Sequence, residues 1–119
     1  MKILASALLA FALVGCASAP QNPQQAVYQS KSAYQVALTG AVTYKRLAPC
    51  SAIVKQPCSD AKVVDQLRKA DNTAIAALDA AETAVRTPGF GADIQKSALV
   101  AAQAALSAFT AIVANLGAK

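Results

Sequence analysis

Three cysteines, Cys16, Cys50 and Cys58, are the residues of this 119-residue chain best suited to chemistry. A thiolate can attack a carbonyl, ligate a metal, exchange with a disulfide or accept an acyl group. What surrounds them narrows that list. The chain has no histidine, so neither a Cys–His nucleophile pair nor a mixed Cys/His zinc set can form. Cys50 and Cys58 lack the Cys-x-x-Cys spacing of dithiol redox centres. There is no glycine-rich phosphate loop and no paired-carboxylate constellation. Asp65, Asp71, Asp79 and Glu82 fall along one helical segment, mostly at exposed or boundary positions, in the pattern of a solvated face. Asp71, seven residues from both Val64 and Leu78, either sets register inside an apolar seam or lies at its edge, and the edge is the expectation. The chain is therefore expected to be non-enzymatic, with no metal and no cofactor.

Cys16 has a distinctive context. Residues Ile3 to Val14 form an apolar run broken only by Ser6, and Lys2 precedes it. The run is too short for a bilayer span, which needs about 20 residues, and it fits the apolar region of a secretory signal. It closes in Leu13-Val14-Gly15-Cys16, which resembles the lipobox of bacterial lipoproteins. The resemblance implies that residues 1–15 are a signal peptide cut before Cys16. It also implies that the Cys16 thiol carries a diacylglycerol and that the new amine is acylated, with palmitate as a typical chain. Two or three acyl chains give stable anchoring at about 0.8 kcal/mol per buried CH₂. Ala17 after the cysteine leans toward the outer membrane, with the protein facing the periplasm. Ala17-Ser18-Ala19 has the form of an ordinary signal cleavage site, so plain secretion is the competing reading. A buried structural helix is a third.

Assigning Cys16 to lipid resolves the odd cysteine count. Cys50 and Cys58 are then a pair in an oxidising compartment, where a disulfide is expected. Its short loop would contribute about 2–3 kcal/mol in the chain-entropy model. Each of the two cysteines follows a proline, Pro49 and Pro57, so the segment reads as a stapled turn.

The elements that position these residues are helical. Alanine makes up about a quarter of the chain from Cys16 onward, and alanine is the best helix former. Residues 16–25 contain two prolines and no large apolar side chain, and are expected to be a flexible tether of roughly 30 Å at full stretch. The first helix is expected over 24–47, with Val27, Tyr34, Ala41 and Ala48 at seven-residue spacing and Gly40 weakening its middle. The second is expected over 59–86, with Ser59 as N-cap and Asp60 in the first turn. Its apolar face is Val64, Leu67, Ala74, Leu78, Ala81 and Val85, and Asp65–Lys69 and Glu82–Arg86 are expected i,i+4 pairs. Thr87-Pro88-Gly89-Phe90-Gly91 is a stop and turn.

The third helix is expected over 92–116. Leu99, Ala102, Leu106, Phe109, Val113 and Leu116 alternate by three and four, the spacing of a coiled-coil seam. No charge falls between Ser97 and Gly117, so this helix is expected to be wedged between the other two, with a membrane span as a weaker alternative. Together these elements predict an all-α fold, an alanine-rich antiparallel three-helix bundle over 26–119 with one disulfide-stapled loop. The tyrosines at 28, 34 and 44 share no helical face and are expected to pack in the core or at its rim.

Topology then orients the chain. With Cys16 at a membrane, the stapled loop and the C-terminal end share the far end of the bundle. Lys45, Arg46, Lys55, Lys62 and Lys119 gather there, with Asp60 as the nearest acid, and removing Lys2 with the signal still leaves a formal charge of +4. Such a face suits an anionic envelope polymer or an acidic partner protein. Nucleic acid is not expected, because no aromatics are interleaved with the charges. The alanine-rich helices, the lipidated Cys16 and the terminal Lys119 also resemble the murein lipoproteins, whose C-terminal lysine can be joined to peptidoglycan. The stapled loop and the two helix-breaking turns depart from that family. The functional expectation is a small outer-membrane lipoprotein with a structural or adaptor role. The alternatives are a module holding an apolar ligand or lipid between helices, and a phage- or host-derived envelope factor.

Overall fold

The computed structural model describes residues 22–116. They form three helices, α1 (Pro23–Lys45), α2 (Ala61–Arg86) and α3 (Ala92–Ala114), and among the described residues there is no strand. The fold is the expected all-α three-helix bundle. Lys31 on α1 bonds Glu82 late on α2, and Tyr44 late on α1 bonds Asp60 at the start of α2, so these two helices are antiparallel. Gly40 of α1 lies against Val113 of α3, which runs parallel to α1.

α1 begins earlier than its apolar pattern. Pro23 sits in the first turn, where its missing N–H costs nothing, and the Asn22 side chain accepts the Gln25 N–H at 2.8 Å. Residues 23–25 of the expected tether over 16–25 are therefore helical, and residues 16–21 lie outside the described residues. The helix stops at Lys45 rather than 47, because Arg46 and Leu47 fold into the turn that precedes Pro49. Ala26, Val27, Ser30, Tyr34, Ala37 and Ala41 form its buried face. Ala48, expected to continue that stripe, lies beyond the helix and is exposed.

The start of α2 corrects a second expectation. Asp60, not Ser59, is the N-cap, and its carboxylate accepts the Lys62 N–H at 2.8 Å. Ser59 is taken by the loop instead. Its N–H donates to the Ala48 carbonyl and its hydroxyl to the Leu47 carbonyl. Leu67, Ala74, Leu78, Ala81 and Val85 are buried as expected, joined by Ala84, while Val64 is half-buried.

Gly89 in the α2–α3 turn has φ 97°, a left-handed conformation that favours glycine. α3 then differs from its expected setting. Ala102, Leu106 and Phe109 are buried, and Leu99, Val113 and Leu116 are half-buried. The opposite face is open, with Val100, Ala101, Ala104, Ala108 and Ala111 exposed. α3 is thus laid along α1 and α2 by one stripe rather than wedged between them. By length and composition α3 could also cross a membrane, with a mean hydropathy of 1.8 over an 18-residue window. Its seam side chains instead complete the core, where Phe109 is fully buried.

The core is built around one aromatic pair in an alanine-rich interior. Tyr34 of α1 packs on Phe109 of α3 with ring centroids 5.8 Å apart. Small residues let the axes approach closely, and Gly40 shows how closely. A Cβ there would sit 2.8 Å from the Val113 Cγ1. Val113 is β-branched and stiff at χ1 in a helix, so it cannot swing aside cheaply. Gly40→Ala is therefore expected to destabilise the bundle by about 1 kcal/mol, the overpacking cost outweighing the gain in helix propensity. In a Val113→Ala background the same substitution should become stabilising. Urea denaturation of the four proteins of this cycle measures that reversal of sign.

Candidate functional surface at the stapled end

The last turn of α1, the loop and the first turns of α2 form one unit, closed covalently across residues 50–58 and joined to the helices by hydrogen bonds. Cys50 and Cys58 are disulfide-bonded, with Cα atoms 5.0 Å apart. Backbone pairing continues beside the bond: the Cys50 N–H donates to the Ser59 carbonyl at 3.0 Å, and Pro49 and Ser59 form an isolated bridge. The Ser51 hydroxyl accepts the N–H groups of Val54 and Ile53, and the Ser51 N–H donates to the Val54 carbonyl. The Tyr44 hydroxyl accepts the Asp60 N–H at 2.9 Å, tying the loop's exit to α1. Satisfied this way, a loop without regular structure becomes a fixed platform.

The platform presents charge and one apolar tip. Lys45, Arg46, Lys55 and Lys62 are exposed, and among the described residues none of them forms an ion pair. Lys45 and Lys62 line an open depression of about 630 Å³ with Pro49, Cys50, Ser59 and Asp60. Arg46 and Lys55 do not line it, and Lys119 lies outside the described residues, as does Cys16. The end of α3 does reach the staple, where Asn115 and Leu116 share a groove with Tyr44 and Cys50. The expected gathering of loop and C-terminal helix end at one pole is therefore present.

Sequence reasoning missed three residues here. Arg68 lines the depression beside Lys45, one helical turn beyond Val64, and Asp65 lies within it. Asp65 pairs with Arg68 at 3.7 Å rather than with Lys69, and both side chains are about two-thirds exposed, so the pair contributes little. Ile53, at the loop tip, is 93% exposed. An isoleucine between the two cysteines, with no other large apolar residue beside it except Val54, was a readable signal for a projecting side chain.

Elsewhere the polar groups are structural. The Tyr34 hydroxyl donates to the Asp71 carboxylate at 2.6 Å across the α1–α2 interface. Asp71 is half-buried, so it lies at the edge of the seam and still engages the core. Burial, followed by the hydrogen bond to Asp71, pushes the Tyr34 hydroxyl up to about 12, which keeps it a proton donor. At the other pole Glu82 receives Lys31 from α1 and pairs with Arg86 at 2.7 Å, the expected i,i+4 partner. The Lys31 hydrogen bond, helped by the Arg86 charge, holds the Glu82 carboxyl below its ordinary value. The Lys31 pairing was also missed, although Lys31 sits between Val27 and Tyr34 on the buried side of α1.

Among the described residues no cluster of His, Cys, Asp and Glu could hold a metal ion. The groove between α1 and α2, lined by Leu38, Ala41, Val42, Val64, Leu67 and Phe109, has a volume of about 140 Å³. Small-molecule pockets usually run from about 300 Å³ upward. Comparison of the chain with protein-family models, with curated proteins and with solved structures finds no match.

Two outcomes follow for stability. Reducing the Cys50–Cys58 bond should cost about 2–3 kcal/mol, set by the loop it closes, with helix content retained in circular dichroism. The Tyr34–Asp71 bond should act at high pH. The tyrosine hydroxyl titrates near 10 in an unfolded chain and at about 12 in the fold. Its contribution is complete below pH 10 and lost as pH rises through 12. Tyr34→Phe should lower stability at neutral pH by about 1–2 kcal/mol and remove that alkaline loss, as read from denaturation midpoints against pH.

Proposed function

We propose that this chain is a non-enzymatic lipoprotein of the bacterial outer membrane, anchored through acylated Cys16 and facing the periplasm. Its role is that of an adaptor, meeting an anionic partner, an envelope protein or peptidoglycan, at the stapled end. The observation that carries the adaptor role is a disulfide-closed, internally hydrogen-bonded loop that holds Lys55 and lies beside Lys45, Arg46 and Lys62, cations that form no ion pair among the described residues. Preorganisation matters because ordering a mobile loop on binding would subtract from affinity. Unpaired cations at one pole also steer an anionic partner to that pole.

Ile53 adds the apolar contact that electrostatics alone lacks. Partner surfaces concentrate their binding energy in a few desolvated side chains ringed by polar ones. An isoleucine exposed at 93% beside Lys55 has that setting. The anchor reading rests on Leu13-Val14-Gly15-Cys16 and on the Cys50–Cys58 disulfide, which suits an oxidising compartment. The apolar-ligand alternative is disfavoured by the small interhelical groove.

The test is made in the native envelope. Mass spectrometry of the purified protein should show a chain beginning at an acylated Cys16 with Cys50 and Cys58 bonded. A photo-crosslinker at position 53 should give a discrete adduct, and Lys45→Glu with Lys62→Glu should abolish it. An unmodified Cys16 would overturn the anchor, and a crosslink indifferent to both charge reversals would overturn the adaptor role.

A further inference from the structure

The pole opposite the staple carries exposed apolar residues that the adaptor role leaves unused. Phe90, in the α2–α3 turn, is 42% exposed, and Ile94, in the first turn of α3, is 51% exposed. Their level along the bundle follows from the contacts. Gly40 and Val113 lie side by side on the parallel helices α1 and α3. At 1.5 Å per residue, Asn22 is about 27 Å from Gly40 and Ile94 about 28 Å from Val113. Asn22 and Ile94 therefore share one end. The Lys31–Glu82 bond puts the end of α2 there too, so the turn emerges where the chain departs toward Cys16.

The chain between Asn22 and Cys16 fixes what can lie opposite this end. Ala17 to Gln21 contains no large apolar side chain. The span from Cys16 to Asn22 reaches at most about 20 Å fully stretched. A bilayer holding the acyl chains of Cys16 is thus within a short reach of Phe90 and Ile94. The turn is suited to such a neighbour. Thr87, Pro88, Gly89, Phe90 and Gly91 carry no charge, and the nearest charges on α3, Asp93 and Lys96, are of opposite sign. Phenylalanine and large aliphatic side chains bury at the boundary between headgroups and acyl chains when a surface that carries them lies on a membrane.

We propose that the α2–α3 turn is a membrane-contact site, in which Phe90 and Ile94 enter the interfacial layer of the bilayer that holds Cys16. The proposal rests on the lipid-anchored reading. It makes the bundle stand on this turn, with its basic pole held a helix length, about 35 Å, from the lipid.

The chain contains no tryptophan, so single substitutions give clean reporters. Phe90→Trp, Ile94→Trp and Ile53→Trp would each be made in the full chain, purified in acylated form from membranes and reconstituted into phosphatidylethanolamine–phosphatidylglycerol vesicles. Circular dichroism would verify the fold of each, and mass spectrometry the state of Cys16. The expected result is a blue-shifted emission for tryptophan at 90 and at 94, strongly quenched by lipids brominated near the headgroup. Tryptophan at 53, at the far pole, should remain water-exposed and unquenched. Should all three reporters behave alike on acylated, vesicle-bound protein, this proposal falls and the anchor stands. An unmodified Cys16 with no vesicle binding removes both.

Discussion

The side chain of Tyr34 is the point at which the three helices are held to one another. Its ring packs on Phe109 of α3, and its hydroxyl donates to Asp71 of α2. Alanine is the commonest residue of the surrounding core, at Ala37, Ala41, Ala74, Ala81 and Ala102. Alanine faces pack closely but interlock poorly, because each offers only a methyl group to a neighbouring groove. They specify proximity better than register. The Tyr34 interactions supply the missing specification. Sliding α2 by one turn would leave the tyrosine hydroxyl buried without its acceptor, at a cost of about 1–3 kcal/mol. The same slip would break Lys31 from Glu82, a second tie between α1 and α2 on the same side of the bundle.

Much of this was legible because the signals were local. Apolar periodicity, two proline-containing breaks and an alanine-rich composition identified three helices with bounds close to Pro23–Lys45, Ala61–Arg86 and Ala92–Ala114. The pairing of Cys50 with Cys58 was legible once Cys16 was set apart. The errors arose where a distant segment competed for a local residue. Ser59 is a good N-cap in isolation, but the disulfide draws its hydroxyl to Leu47 and passes the capping role to Asp60. Gly40 reads as a weakness in a helix until Val113 is seen against it. α3 reads as a buried helix because it lacks charge, although two neighbouring helices can cover only one of its sides. The candidate surface was half legible. Lys45 and Lys62 were identified, while Arg68 and Asp65 required the fold to bring α2 beside the end of α1.

The two poles differ in chemistry, and the bundle keeps them apart. At one, a crosslinked loop is set among Lys45, Arg46, Lys55 and Lys62, which form no ion pair among the described residues. At the other, Lys31 and Arg86 are absorbed by Glu82, and the exposed surface of the turn is apolar. Helices of more than twenty residues convert that contrast into a polarity along the molecule.

The staple also changes what a protease could achieve. Lys55, exposed between the two cysteines, offers a cleavable bond in the long connection of the described chain. Cutting there would not release α1. The Cys50–Cys58 bond would still join α1 to α2 and α3, and the Pro49–Ser59 pairing lies on the helix side of the cut. Covalent continuity between the two parts of the bundle thus has two routes in parallel, one through peptide and one through sulfur. The exposed tip could be nicked while the folded unit beneath it stays whole.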